Sequence, residues 1–257
     1  MPFTLAHPAA VAPLRWIVRR DRLPLEAVVI GAMSPDFEYL LRLEPLSLVS
    51  HSMRGLLVFC LPVGLLTLAL WVSLLRVPVR ALFALQPSDG DAPRTVAWWG
   101  RAALALLVGS ATHLVWDAFT HRDSWGPIMF PSLKSTAFTV GGVGVPLYNV
   151  LQHVSSLVGG IAVGVWLWRK MQRDGAWPAI VQAPWRQGTW IALGAVALAV
   201  GAWNANGRGI MLHSSRATIV LGRIAVGGMI GFSIGLVIFA AIRRGRGMDR
   251  APNAANP

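Results

Sequence analysis

Between Lys134 and Arg169 the chain contains no Asp, Glu, Lys or Arg at all. An α-helix rises about 1.5 Å per residue and the hydrocarbon core of a bilayer is about 30 Å thick, so about 20 consecutive apolar residues suffice to cross it. Four runs reach that length: Gly55–Leu75, Ser135–Trp168 with its helical part from about Leu151, Gln187–Gly207 and Ile224–Ile242. A fifth, Ala102–Phe119, qualifies if His113 and Asp117 are tolerated at its end. The pattern predicts an all-α, polytopic membrane helical bundle of about five transmembrane helices.

Composition agrees, because 54% of the 257 residues are hydrophobic and 13% charged, too few to clothe a water-soluble fold. A formal charge of +12 would suggest nucleic acid in a soluble protein. Here the arginines are scattered between apolar runs, so a nucleic-acid partner is excluded and the lipid bilayer is the expected one. The N-terminus MPFTLAHPAA lacks the charged flank and apolar core of a cleavable signal peptide, which leaves insertion to the first long span. Cys60 stands alone and is expected to pack as a small apolar side chain.

Residues 1–54 read as an N-terminal polar and amphipathic segment, whose stretch Leu23–Met33 can enter the membrane partway as a re-entrant helix. With the spans it forms a single integral-membrane domain, 1–244, followed by a disordered cytoplasmic tail, 245–257. Turn-forming residues mark 78–100, 123–132 and a bend at 142–146. The loops 76–101 and 169–186 and the tail are rich in arginine and should be cytoplasmic, whereas 120–149 and 204–217 should face outward. Arg15, Arg19, Arg20, Arg22, Arg42 and Arg54 do not fit this count unless their segment dips inward.

Against this apolar background HLVWDAFTH, residues 113–121, is anomalous. Steps of four residues drift only about 40° around a helix, so His113, Asp117 and His121 form one polar stripe. A carboxylate at membrane depth costs about 2–4 kcal/mol unless paired or ligated, which marks such groups as functional. A helix-packing network of Asp117 with a neutral histidine is the competing explanation. An antiparallel hairpin of the first two spans would bring His51 to the same membrane face. SPDFEYL (34–40) adds Asp36 and Glu38, and His7 lies in the N-terminal segment. Imidazoles mixed with carboxylates are ligands for zinc, manganese or iron, and this set can hold one or two divalent ions, zinc foremost. Asp36 competes as an N-cap for the helix after it, and Glu38 as a surface or supporting group. Ser52 and Thr120 read as packing or supporting hydrogen-bond donors, His153 as structural, and His213 as outside the site.

The four motifs PFTLAHPA (2–9), SPDFEY (34–39), HS (51–52) and HLVWDAFTH (113–121) together resemble, over nearly the whole chain, the bacterial membrane family catalogued as domain of unknown function 4184. Their order is similar, more distantly, to prophage-associated inner-membrane proteins described as metal-dependent hydrolases. The resemblance implies His7, Asp36, His51, His113, Asp117 and His121 as the motif residues. The function expected is a membrane-embedded metal-dependent hydrolase of a lipid or lipid-linked (phospho)ester, in the bacterial inner membrane with its site extracytoplasmic. Asp36 or Glu38, whichever is not a ligand, would be the catalytic base. The alternatives are a non-enzymatic metal-binding or transport protein, a haem protein and a structural scaffold. Transport is disfavoured by the absence of an internal repeat, and haem gives the carboxylates no work.

Overall fold

The computed structural model describes residues 4–14, 23–85, 95–207 and 216–248, with the side chains of 216–218 excepted. Arginines 15, 19, 20 and 22, the turn-rich centre of 86–94, His213 and residues 249–257 lie outside the described residues. Five helices are long and apolar enough to cross a membrane; three contain the runs Gly55–Leu75, Ala102–Phe119 and Ile224–Ile242, one contains the helical part of the third run from Leu151, and Pro184–Ala205 covers Gln187–Gly207 except its last two residues. The protein is therefore a multi-pass membrane protein with an all-α helical bundle. The five runs extend by several residues at most of their ends.

After an N-terminal run of 3-10 turns, Thr4–Leu14, come α1 (Leu25–Met33) and α2 (Phe37–Arg42), separated by a single 3-10 turn at Ser34–Asp36. The spans are α3 (Met53–Leu82), α4 (Val96–Thr120), α6 (Leu147–Arg173), α8 (Pro184–Ala205) and α9 (Arg216–Gly245), with short helices α5 (Trp125–Met129) and α7 (Ala176–Val181) between them. Ser52 caps α3, its Oγ accepting from the Gly55 N–H at 2.9 Å. Within α3, π turns at Leu56–Cys60 and Trp71–Leu75 fall just ahead of Pro62 and Pro78. A proline removes one backbone donor and crowds the preceding turn, and a widened turn is a common accommodation. Between α5 and α6 the chain forms an antiparallel hairpin, β1 (Thr136–Val140) and β2 (Val143–Pro146), where the sequence suggested only a bend before the third span.

The chain divides into two compact units. The second comprises 39–46, 69–92 and 169–257. There α8 packs on α9 through glycines: a methyl group added at Gly201, Gly227 or Gly231 would meet the facing backbone or Asn204. Asn204 is buried and donates to the carbonyls of Leu43 and Arg223, at 2.9 and 2.8 Å. Arg223, also buried, pairs with Glu44.

The first unit comprises 1–38, 47–68 and 93–168. Its centre is the crossing of α1 and α4. At nine residues α1 is about 14 Å long and too short to span, so it lies against α4 with Ala27, Val28, Gly31 and Ala32 buried. Two glycines allow the approach: a side chain at Gly31 would overlap the Leu106 carbonyl, and one at Gly109 would overlap the Val28 carbonyl. Contact this close brings polar groups within reach. Ser34 and Ser110 share a 2.9 Å hydrogen bond, and both hydroxyls also reach the Gly31 carbonyl. The N-terminal run is held on another side, where Gly159 of α6 faces Ala6 and Trp116 donates to Ser155 at 3.1 Å.

Candidate metal centre

Because α1 ends against the middle of α4, the 3-10 turn after it places Asp36 beside the last turns of α4. His113 is fully buried there, and its Nδ1 donates to the Ala32 carbonyl at 2.8 Å. A carbonyl can only accept, so Nδ1 carries the hydrogen and Nε2 is the nitrogen left to ligate. That nitrogen faces His51 Nε2 at 3.3 Å, Asp117 Oδ2 at 3.4 Å and Asp36 Oδ1 at 3.6 Å. His51 Nε2 lies in turn 3.4 Å from Asp117 Oδ2 and 3.5 Å from Asp36 Oδ1. The four atoms thus make two triangles on a shared His51–His113 edge. Donors about 2.0–2.2 Å from a tetrahedral zinc stand about 3.3–3.6 Å from one another. All five measured edges fall in that interval.

His7 extends the cluster. Its ring stacks on His113 with centroids 3.6 Å apart, and its Nε2 lies 3.8 Å from Asp117 Oδ1, the carboxylate oxygen that does not face His51. His7, His113 and Asp117 form one group of ligand atoms with metal-site spacing, and Asp36, His51 and His113 another. Asp117 can therefore serve one ion or lie between two. His121 sits at the edge, with Nδ1 3.1 Å from the Asp117 carbonyl oxygen and 3.9 Å from its carboxylate. Exposure rises in the same direction, from buried His7, Asp36 and His113 to side chains 18% exposed at His51 and 32% at His121. The cluster is closed towards α1 and open at the end where α4 finishes.

The electrostatics call for a positive charge. Both carboxylates are buried, and among the described residues none of their four oxygens accepts a hydrogen bond, nor does either nitrogen of His7 make one. Buried polar atoms are nearly always satisfied, so six orphaned atoms in one place require an explanation. Burial by itself would lower the pKa of His51, but Asp117 and Asp36 outweigh it and hold the imidazolium up to about 9. Without a metal ion, the demand for positive charge thus falls on a proton. Burial and the neighbouring His113 press His7 down to about 4, so that ring is neutral at physiological pH and able to ligate. Asp36 is buried, which would raise its pKa, yet the facing His51, His113 and His7 keep it below the usual carboxylate range.

Of the other residues singled out in the sequence, Glu38 takes a different position from the cluster. Its carboxylate accepts the backbone N–H groups of Leu48, Val49 and Ser50 at 3.0, 3.1 and 2.8 Å. Burial favours the neutral acid, but these donors prevail and hold Glu38 at about 2. The clasp fixes the loop that delivers His51, and Ser50 Oγ stands 2.9 Å from His51 Nδ1. Asp36 caps no helix, its oxygens making no hydrogen bond among the described residues. Thr120 stays local, its Oγ1 3.5 Å from the Asp117 carbonyl. His153 is exposed on α6 and belongs to neither group of ligand atoms. Sequence reasoning missed Ser34, Ser110 and Ala32, which join α1 to α4 directly behind His113. The serines are visible as small polar residues inside apolar helices; a backbone carbonyl leaves no such signal. Glu38→Gln should lower metal affinity about 10–100-fold while leaving the ligands in place, as loss of a group that orients a ligand does elsewhere. A competition titration against a chromogenic chelator measures it.

Compared with known proteins, the chain matches the family described as Domain of unknown function (DUF4184) over residues 1–241. None of the curated proteins and none of the solved structures matches it.

Proposed function

The chain belongs to the family described as Domain of unknown function (DUF4184), and on that premise we propose that it is a membrane-embedded, metal-dependent hydrolase acting on a lipid or lipid-linked ester or phosphoester. The observation that carries the reading is the pair of triangles around His51 and His113, closed by carboxylate oxygens that accept no hydrogen bond among the described residues. His51, His113, Asp36 and Asp117 would hold the first ion, zinc by its donor set with manganese or iron also compatible; His7 would add to it or begin a second with Asp117 and His121. Such an ion would supply hydroxide near neutral pH and polarise the scissile group. A carboxylate oxygen of Asp36 not engaged by the ion would take the proton from the attacking water, while Glu38 holds the His51 loop. The exposed side, at His51 and His121, is where substrate and water enter.

The arginine pattern supports a bacterial inner-membrane protein with this side extracytoplasmic. In a Cys60→Ala background, Ser124→Cys should react with a membrane-impermeant thiol reagent in intact cells, and Gln182→Cys should not. The opposite labelling would invert the topology. For the activity itself, purified protein in nanodiscs of bacterial phospholipid should release a water-soluble headgroup or fatty acid, and His51→Ala should abolish release. Stoichiometric metal without release from any of the bacterial lipids would favour the metal-handling alternative.

A further inference from the structure

The hairpin β1–β2 is amphipathic, and among the described residues nothing covers its apolar face. Val140 pairs with Val143 and Phe138 with Val145, so these four side chains share one face, while Thr139 and Gly144 pair on the other. Gly141 and Gly142 both have positive φ, 56° and 79°, the tight two-residue turn that keeps the face continuous over both strands. Phe138, Val140 and Val143 are 51, 62 and 70% exposed. The short helix α5 and the residue after it add Trp125, Ile128 and Phe130, each about half exposed.

We propose that this segment, 125–146, is an interfacial element whose apolar face lies in the bilayer beside the cluster. Three observations select lipid as the occupant. The segment is tied at both ends to membrane-spanning helices, α4 ending at Thr120 and α6 starting at Leu147, so it cannot leave the membrane surface. From Ser124 to Trp168 there is no carboxylate, and Lys134 alone carries a fixed charge, as suits an anionic surface and not a basic partner. Its exposed aromatic and aliphatic side chains, with one lysine and no carboxylate, have the composition of elements that lie in the interface. The segment begins four residues after His121, at the open end of the cluster. If the hydrolase reading holds, it is the platform from which a lipid substrate reaches the ion; that role rests on the reading, whereas the contact with lipid does not.

Spin labels on single cysteines in the Cys60→Ala protein, reconstituted in phosphatidylethanolamine–phosphatidylglycerol nanodiscs, test the contact. Labels at Val140 and Val143 should collide freely with oxygen and several-fold less with an aqueous nickel chelate than a label at Thr139. Equal nickel access at all three positions would mean that the hairpin stands in water and would overturn the proposal. Shielding of Val140 and Val143 from both reagents would mean a protein cover, a second copy included, and would overturn it equally. Metal content measured on the same samples separates this outcome from any failure of the metal site. A labelled hairpin that contacts lipid in a protein without metal would keep the interfacial element and remove only its catalytic role.

Discussion

Asp117→Asn should purify with little or no bound metal and melt at a lower temperature than the parent in the same detergent. The substitution keeps the shape of the side chain and its capacity to hydrogen-bond, and removes only the anion. A packing network would tolerate it. In the cluster, however, Asp117 faces His51 and His113 with one oxygen and His7 with the other, so its loss empties the centre of the donor set. A ligand held at 100 times its dissociation constant stabilises a protein by about 2.7 kcal/mol. For a chain of this size that corresponds to roughly 5–10 °C in melting temperature. His113→Ala should behave alike, and His153→Ala should not, because His153 is exposed and outside the cluster.

Gly109→Leu should lose metal as completely as a ligand substitution, although every ligand remains. A side chain at position 109 would run into the Val28 carbonyl and the Ala32 amide, the backbone that holds His113 Nδ1 and leads to Asp36. Overpacking of this kind costs about 1–3 kcal/mol in a rigid core. Here the strain is relieved by moving α1 away from α4, which withdraws Asp36 from His113. Gly109→Ala should give an intermediate loss, and Gly228→Ala in α9, where the nearest atom is 3.7 Å from the added carbon, should give none. Metal content of the purified variants, with circular dichroism to confirm retained helix, reads the series. Full occupancy in Gly109→Leu would mean that the crossing does not position the ligands.

The spans were legible because membrane depth excludes charge, and five charge-poor runs leave few other readings. The hairpin was hidden by the same property: Ser135–Trp168 is free of fixed charge throughout, so the boundary between strand and helix at Leu147 carries no hydropathy signal. The glycine pair 141–142 in TVGGVGV was the available cue, since paired glycines suit a turn in which both φ are positive. At the site, the placing of His113 and Asp117 on one face followed from helical periodicity, and the pairing of His51 with them from an antiparallel hairpin; His121, read as the third member of that stripe, instead lies just past the end of α4 with extended backbone. How Asp36 and His7 arrive there was not visible in periodicity, because it depends on a backbone contact at Gly31 and Gly109 and on ring stacking of His7 upon His113. Glu38 looked like a candidate base from its neighbourhood. Its partners include three backbone N–H groups, which every sequence supplies and none advertises.

Elemental analysis of the protein purified without added metal tests the central claim most directly, with Asp117→Asn prepared in parallel. The account predicts about one or two equivalents of a divalent transition metal, zinc foremost, in the parent and almost none in the variant. A parent free of metal, unable to take up zinc, manganese or iron on titration, and matched in thermal stability by Asp117→Asn, would show that the buried carboxylates and imidazoles are a helix-packing network and would contradict the account.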